Sequence, residues 1–562
     1  MRKLLFAAVI ALGLAAVAVA VPVISHHRNA AKSVAGTAEG QRGTSVVPPS
    51  KLPSMRPTQT PASTPTTRSM VKPTGAPHPT STKRPTTSTT VPVPGVPFPD
   101  STEAGPAVAG PCRGVVIKPG QDPQAVINAH PAGSTICFAA GLHRIRTTIR
   151  PKANSTLASA ARAVLTGSVP LTAWTPIGSR WVSRGALPPA YGMTGQCEDN
   201  KANICHLREQ VFVDGTHLSR VTSLAQVRAA TFYADYAANA IYLGSNPNGH
   251  AVEMAKTPAA IESGAPGVTV RGLTIEHFAS APQAGALIAG PGWTVKANEV
   301  RWNKSVGLML VKAAKTRVER NLVHHNGQLG LGQYSSAAAT ISSNVITSNN
   351  TDGFWIADWE SGGIKSTRSS GTVSGNLIRD NKGVGMWADV ADDGRVISGN
   401  KIQNNAADGI RYEISRNGVI ENNTVTGNGF GTGRGSGTSL WDGGGINVNT
   451  STNVRIRNNT VSGNVNGISI QSRTRGDGPW GRYLLRNVQV TGNLVAMTGG
   501  TQSTGVVQNA GADVPAGALT FTGNRYLLDN LAAPRFARLG AKLTADGWRG
   551  AGLDTASSFR AD

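Results

Sequence analysis

The chain has 562 residues, with 66 glycines, 15% charged residues and only 5% aromatics, and on length alone it has room for two to four domains. Plentiful glycine with few charges excludes a coiled coil, the lack of a Gly-X-Y period excludes collagen, and 39% apolar content excludes disorder throughout. Many short strands joined by short turns remain. Lys and Arg outnumber Asp and Glu 54 to 31, a net charge of +23, which favours anionic partners such as acidic polysaccharide, cell-wall polymer, lipid headgroups or nucleic acid. The excess is spread along the chain, with 11 Lys/Arg against 2 acids in the first 100 residues and 43 against 29 in the rest.

Arg2 and Lys3 precede an apolar run from Leu4 to Ile24, and Ala18-Val19-Ala20 supplies an A-x-A cleavage site. Residues 1–25 therefore read as a secretory signal. Left uncleaved, the same run is long enough to anchor the chain in a bilayer, so a membrane is a partner only in that case. Residues 26–105 form a Pro/Thr/Ser-rich linker. Fourteen of the 33 prolines fall between Pro48 and Pro99, and such a stretch has too few apolar groups to offset the entropy of ordering it. It is expected to be a disordered, extended spacer leading to a secreted or cell-surface body.

Four cysteines, Cys112, Cys137, Cys197 and Cys205, in an exported chain suggest two disulfides. Three connectivities are open, of which the local pairs Cys112–Cys137 and Cys197–Cys205 are the simplest. Asp122-Pro123 followed by Gln-Ala-Val-Ile-Asn reads as a short helix with Asp122 as N-cap and Pro123 in its first turn. Residues 106–184 then form an N-terminal cap and the first coils, and 185–257 a strand-rich insertion.

From about 268 to 527, asparagines recur ahead of short Val/Ile/Leu strands: Asn298, Asn321, Asn344, Asn376, Asn400, Asn423, Asn459, Asn493 and Asn524, often with a second Asn five residues later. A period in the 20s marks a solenoid. The Leu-x-x-Leu-x-Leu pattern of leucine-rich repeats is absent, so a right-handed parallel β-helix is predicted over 258–530, with stacked Asn side chains bonding coil to coil and strands about 4.8 Å apart. A C-terminal tail follows over 531–562.

On these residues the chain resembles the secreted right-handed parallel β-helix repeat proteins, the pectin-lyase-like superfamily that includes bacterial pectate lyases, alginate-modifying enzymes and several glycoside hydrolases. The resemblance spans roughly 112–550. It implies an all-β solenoid with an N-terminal capping helix, and polysaccharide as the partner. The motifs specify the fold and leave the reaction open. By the same resemblance, Lys or Arg bases that abstract a proton beside a uronate carboxylate are common among lyases, which makes Lys365 and Arg411 eligible.

The strand after each second Asn aligns on a glycine: Gly330 to Tyr334, Gly353 to Ala357, Gly385 to Asp389, Gly409 to Glu413, Gly445 to Asn449 and Gly467 to Gln471. Side chains alternate faces along a strand. The apolar positions point inward and Tyr334, Trp355, Trp387, Asp389, Arg411, Glu413, Asn447 and Asn449 point outward. Asp389 and Glu413 occupy the same place on successive coils, so their carboxylates are expected about 5 Å apart. Such a pair suits acid/base chemistry because like charges push one pKa up, and its spacing is that of a retaining glycosidase. Asp358, Glu360 and Lys365 are placed on an extended loop of 358–371, which with 430–443 brackets the pair as cleft walls. Asp389, Asp392, Asp393 and Glu413 form an alternative Ca²⁺ site, because hard cations take oxygen ligands. Trp355, Trp387 and Tyr334 offer sugar-stacking faces, and Asn447 and Asn449 offer hydroxyl partners.

The expected function is therefore a polysaccharide-active enzyme (lyase, glycoside hydrolase or C5-epimerase) acting as a monomer, with a non-catalytic cell-wall or polysaccharide-binding protein as the alternative. Nucleic acid is not an expected partner, since the basic residues are dispersed and the chain carries an export signal.

Overall fold

The computed structural model describes residues 104–106, 111–188, 197–198, 204–431, 443–498, 503–508, 514–515 and 517–561. The signal segment and nearly all of the linker lie outside the described residues. So does most of the 430–443 loop. Among the described residues no helix is long and apolar enough to cross a membrane.

Each coil of the solenoid contributes three strands. In one coil these are Arg317–Glu319, Leu322–His324 and Leu329–Tyr334, and each pairs in parallel with its counterpart one turn on. Asparagine occupies both corners between the strands. Asn400 shows the arrangement: its Nδ2 donates to Asn423 Oδ1 at 3.0 Å and to the Val373 carbonyl at 2.9 Å, and its backbone N–H donates to the same Asn423 oxygen. Similar bonds run from Asn298 to Asn524 along the first corner and from Asn303 to Asn464 along the second. These asparagines are buried, and pairing satisfies donors and acceptors that would be costly to leave unmade. The residue before each ladder Asn adopts a left-handed conformation, as at Arg320, Ser343 and Gly399.

The glycine that opens each outer strand has a steric cause. A Cβ on Gly385 would lie 2.8 Å from Asn405 Nδ2, and one on Gly409 would lie 2.9 Å from Asn428 Nδ2. The second ladder asparagine, the carbonyl of the next coil's glycine and a core Ile or Val methyl together leave no room for a side chain there.

Inside the coils, stacked Ile, Val and Leu form one continuous core, including Ile341, Val373, Ile397, Ile420 and Ile456. Both ends are closed. The helix Pro123–Asn128 begins at Asp122, whose side chain accepts from the Gln124 amide. At the other end Asp554 accepts from Asn524, Tyr526 and Trp548, each at 2.8 Å, and so terminates the first ladder. The disulfides are Cys112–Cys137 and Cys197–Cys205, the local pairing. Strands between Ser168 and Ala255 build two small sheets beside the first coils. They join the solenoid partly through Phe212, which stacks on His277 with ring centroids 3.6 Å apart.

Asn400→Ala removes a buried donor set and strands its neighbours. It is expected to lower the unfolding free energy by about 3 kcal/mol, measured by chemical denaturation, with the fold retained by circular dichroism. His277 is buried, and desolvation pushes its pKa from 6.5 down to about 3 against the pull of Glu253. The unfolded chain therefore binds a proton that the folded chain refuses between those values, so stability is lost as pH falls through that window. His277→Phe is expected to flatten the slope of stability against pH below 6.5 by up to about 1.4 kcal/mol per pH unit.

Candidate functional site

The third strands of the coils form a sheet of twelve, running from Ile261–Glu262 to Ala541–Leu543. Two columns of side chains leave its outer face. One runs Gly332, Lys365, Trp387, Arg411, Asn447 and Ser469, and the other contains Tyr334, Thr367 and Asp389, then Glu413, Asn449 and Gln471. The intervening Ile364, Met386, Ala388, Ile410 and Tyr412 are in the core. Asp389 and Glu413 directly follow the paired Ala388 and Tyr412, so they sit on adjacent strands about 4.8 Å apart. Each is 6% exposed.

A dense charge network surrounds them. Lys365 bridges Glu360 and Asp389, at 2.9 Å from Asp389 Oδ2, with its ammonium 3.6 Å from the Trp387 ring centroid. Burial works against that ammonium, but the Asp389 and Glu360 carboxylates outweigh it and hold the Lys365 pKa above its ordinary value. Arg411 lies between Asp408 at 2.5 Å and Asp358 at 2.7 Å, its guanidinium carbon 4.8 Å from the Trp387 ring centroid. Glu413 accepts from Arg475 at 2.7 Å and from Asn449 Nδ2 at 3.1 Å. Asn447 donates to Asp408 at 3.3 Å and accepts from Gln471 at 3.1 Å.

Two segments stand beside this face. One is the excursion of residues 350–361, where Trp355 stacks on Trp359 with centroids 5.4 Å apart. The backbone of Phe354 accepts from Glu198 at 2.7 Å, next to the Cys197–Cys205 disulfide. Within it Asp352 faces the buried Lys304 at 4.0 Å and His217 at 3.8 Å. The other is the loop of 473–485, whose short hairpin pairs Asp477 with Arg482 and which carries Arg475, Trp480 and Tyr483. Burial first, then the Asp389 charge, raises the Tyr483 pKa.

Several expectations are corrected. The strand of the Asn344 coil is Gly362–Thr367, not Gly353 to Ala357, because the excursion falls between Asn349 and the strand. Gly363 is the residue whose missing Cβ makes room for Asn381. Lys365 therefore stands in the outward column, and Trp355 does not. Trp355 is buried against Ile204, Cys205 and Trp359. Trp387 is 6% exposed, covered by Lys365 and Arg411 and packed on Val384 and Ala407. Both tryptophans brace the site and offer no open stacking face; Tyr334 is the half-buried aromatic of the column. Asn447 and Asn449 are buried and hold carboxylates.

The four acids proposed as a Ca²⁺ site do not converge. Asp392 is fully buried and bound by Arg395, Ser366 and the Ser369 amide. Asp393 pairs with Arg416 at 2.9 Å and Asn417 at 2.7 Å. Among the described residues the one trio of His, Cys, Asp or Glu close enough for a metal is Cys197, Cys205 and His206, and both thiols are consumed by the disulfide.

Asp408 and Arg475 were not anticipated. Asp408 directly precedes the strand glycine Gly409, and Arg475 lies in the 34-residue gap between Asn459 and Asn493, a spacing as irregular as those that pointed to the other loops.

A family model described as a right-handed beta helix region matches residues 284–445. Among solved structures, the complex of XylC with xylose aligns with a TM-score of 0.56 at 15% identity, over 72% of this chain and 80% of that one. The catalytic unit of a GH87 alpha-1,3-glucanase from Streptomyces thermodiastaticus strain HF3-3 aligns with a TM-score of 0.43 at 13% identity, over 81% and 69%. The periplasmic alginate epimerase AlgG aligns at 0.38 and 12%, over 75% and 84%. No curated protein matches the sequence. The chain carries the right-handed parallel β-helix fold.

Lys365→Met leaves Asp389 and Glu360 facing each other without their cation. It is expected to cost about 3–5 kcal/mol in chemical denaturation, and adding Glu360→Gln is expected to recover part of that loss.

Proposed function

We propose that this chain is an exported carbohydrate-active enzyme that cleaves glycosidic bonds with Asp389 and Glu413 as its working carboxylates. The observation that carries the reading is their placement as outward side chains on adjacent coils. The strands that carry them are about 4.8 Å apart, which supports a pair close enough for one to act as nucleophile and the other as acid/base in retaining hydrolysis. The fold neighbour bound to xylose supports a sugar ligand on this scaffold. Export rests on the N-terminal apolar segment with its A-x-A site and on the Pro/Thr spacer.

The same network favours hydrolysis over elimination or epimerisation. Those reactions need a base that can take a proton beside a uronate carboxylate. Lys365 is held as an ammonium by two acids, and Arg411 is held between two more. Both cations are suited to orienting carboxylates and bound hydroxyls, not to accepting protons.

Asp389→Asn and Glu413→Gln are each expected to lower glycoside turnover by roughly 10²- to 10⁴-fold, with the β-helix fold retained by circular dichroism. Reducing-end release over a glycan panel measures it. Wild-type turnover in both variants, or unsaturated sugar products, contradicts the assignment. Retention of a glycan by a wild-type protein that never cleaves it would instead establish a non-catalytic binding protein.

A further inference from the structure

The net charge of +23 points to an anionic polymer as substrate, but the site does not. Three cations approach the outward columns: Lys365, Arg411 and Arg475. Five carboxylates meet them: Glu360 and Asp389 on Lys365, Asp358 and Asp408 on Arg411, and Glu413 on Arg475. Every one of these cations is therefore engaged by an acid of the chain itself, and acids are in the majority. Arg368, exposed on the turn past Thr367, and Arg473 stand at the margin. The same pairing holds in the neighbouring wall, where Lys304 faces Asp352, and at the first coil of the sheet, where Arg150 faces Glu262.

The coils directly on either side of this network present uncharged outward strand side chains. Toward the N-terminus the outward positions are Ile288, Met309, Val311 and Tyr334, which cluster with Val306 and Leu329 as an apolar patch. Toward the C-terminus they are Asn447, Asn449, Ser469 and Gln471. Aliphatic and aromatic side chains fit the C–H faces of sugar rings, and amides and hydroxyls fit sugar hydroxyls. Within these coils no outward strand side chain offers a cation to a uronate carboxylate or a sulfate; Lys312 sits on the turn past Val311, and Arg538 and Lys542 on the last two strands of the sheet. A polyanion on this face would have to displace the carboxylates already bound to Lys365, Arg411 and Arg475 and would meet the surplus acid charge as repulsion.

We propose that the substrate of this site is an uncharged polysaccharide, and that polyuronates and sulfated glycans are excluded from it. The proposal rests on the glycosidase reading above and names the substrate class for the same two carboxylates. Part of the positive charge that sets the isoelectric point is carried by the first 100 residues of the sequence, with 11 Lys/Arg against 2 acids.

The test uses the full chain in two arms. In the first, wild type is incubated with neutral polymers (xylan, arabinan, galactan and α-1,3-glucan) and with anionic ones (polygalacturonate, alginate and chondroitin sulfate), and reducing ends are counted with the Asp389→Asn/Glu413→Gln protein as blank. In the second, that double variant is titrated calorimetrically with hexasaccharides from both groups, with and without Tyr334→Ala to show that the heat arises at this face. Cleavage confined to a neutral polymer, and neutral hexasaccharide binding at least about tenfold tighter than uronate binding, is the expected result. Cleavage of a polyuronate by wild type but not by the double variant overturns the substrate class and leaves the carboxylate assignment standing. Tyr334-dependent binding of a neutral hexasaccharide without cleavage of any polymer supports the substrate class and overturns the glycosidase reading. Absence of both binding and cleavage overturns both.

Discussion

The asparagine ladders are the constraint on which everything else rests. A buried amide at each corner donates to the next coil's amide and to a backbone carbonyl at about the hydrogen-bond optimum, so successive coils are locked in rotation as well as in spacing. Without that lock, side chains one coil apart would not hold a fixed register. Asp389 beside Glu413, and Lys365 beside Trp387 beside Arg411, are consequences of it. The ladder also helps to dictate the glycines of the outer strand, because the amide Nδ2 crowds the space of a Cβ together with the next coil's carbonyl and a core methyl.

The charge network is built on that register from three different sources. The sheet supplies Lys365, Asp389, Arg411 and Glu413. The 350–361 excursion supplies Asp358 and Glu360, and the 473–485 loop supplies Arg475. Trp387 stands between Lys365 and Arg411 in the column and contacts both cations. Because each buried charge meets an opposite one, the site is tolerable in a nearly dry setting. Removal of a single member leaves its partners with less counter-charge, which makes the network cooperative and the placement of the two carboxylates stiff. Stiff placement is what a reaction with two carboxylates needs.

Much of this was legible in the sequence, for a physical reason. Periodic Asn and alternating apolar residues are local patterns with one structural solution, so the solenoid, its capping helix at Asp122-Pro123 and the Asp389/Glu413 column follow from spacing. The Asn344 coil shows where spacing stops being informative. It holds two glycine-led stretches, Gly353-Phe-Trp and Gly363-Ile-Lys, and both satisfy a short alternation rule. Close packing against Gly385, Ile378 and Asn381 selects the second. The error moved Trp355 onto the face and Lys365 off it. Partners brought in from distant loops, such as Arg475 onto Glu413, carry no local pattern at all. Asp392 shows the reverse case, an acid that lies close to the site in sequence but turns inward to bind Arg395.

The two-carboxylate account is tested most directly by the stereochemistry of the first-formed product on a cleaved glycan, followed by proton NMR before mutarotation. Carboxylates one coil apart, about 4.8 Å between strands, predict retention of the anomeric configuration. An inverted product, which requires a wider gap that admits a water molecule, or an unsaturated product would contradict it.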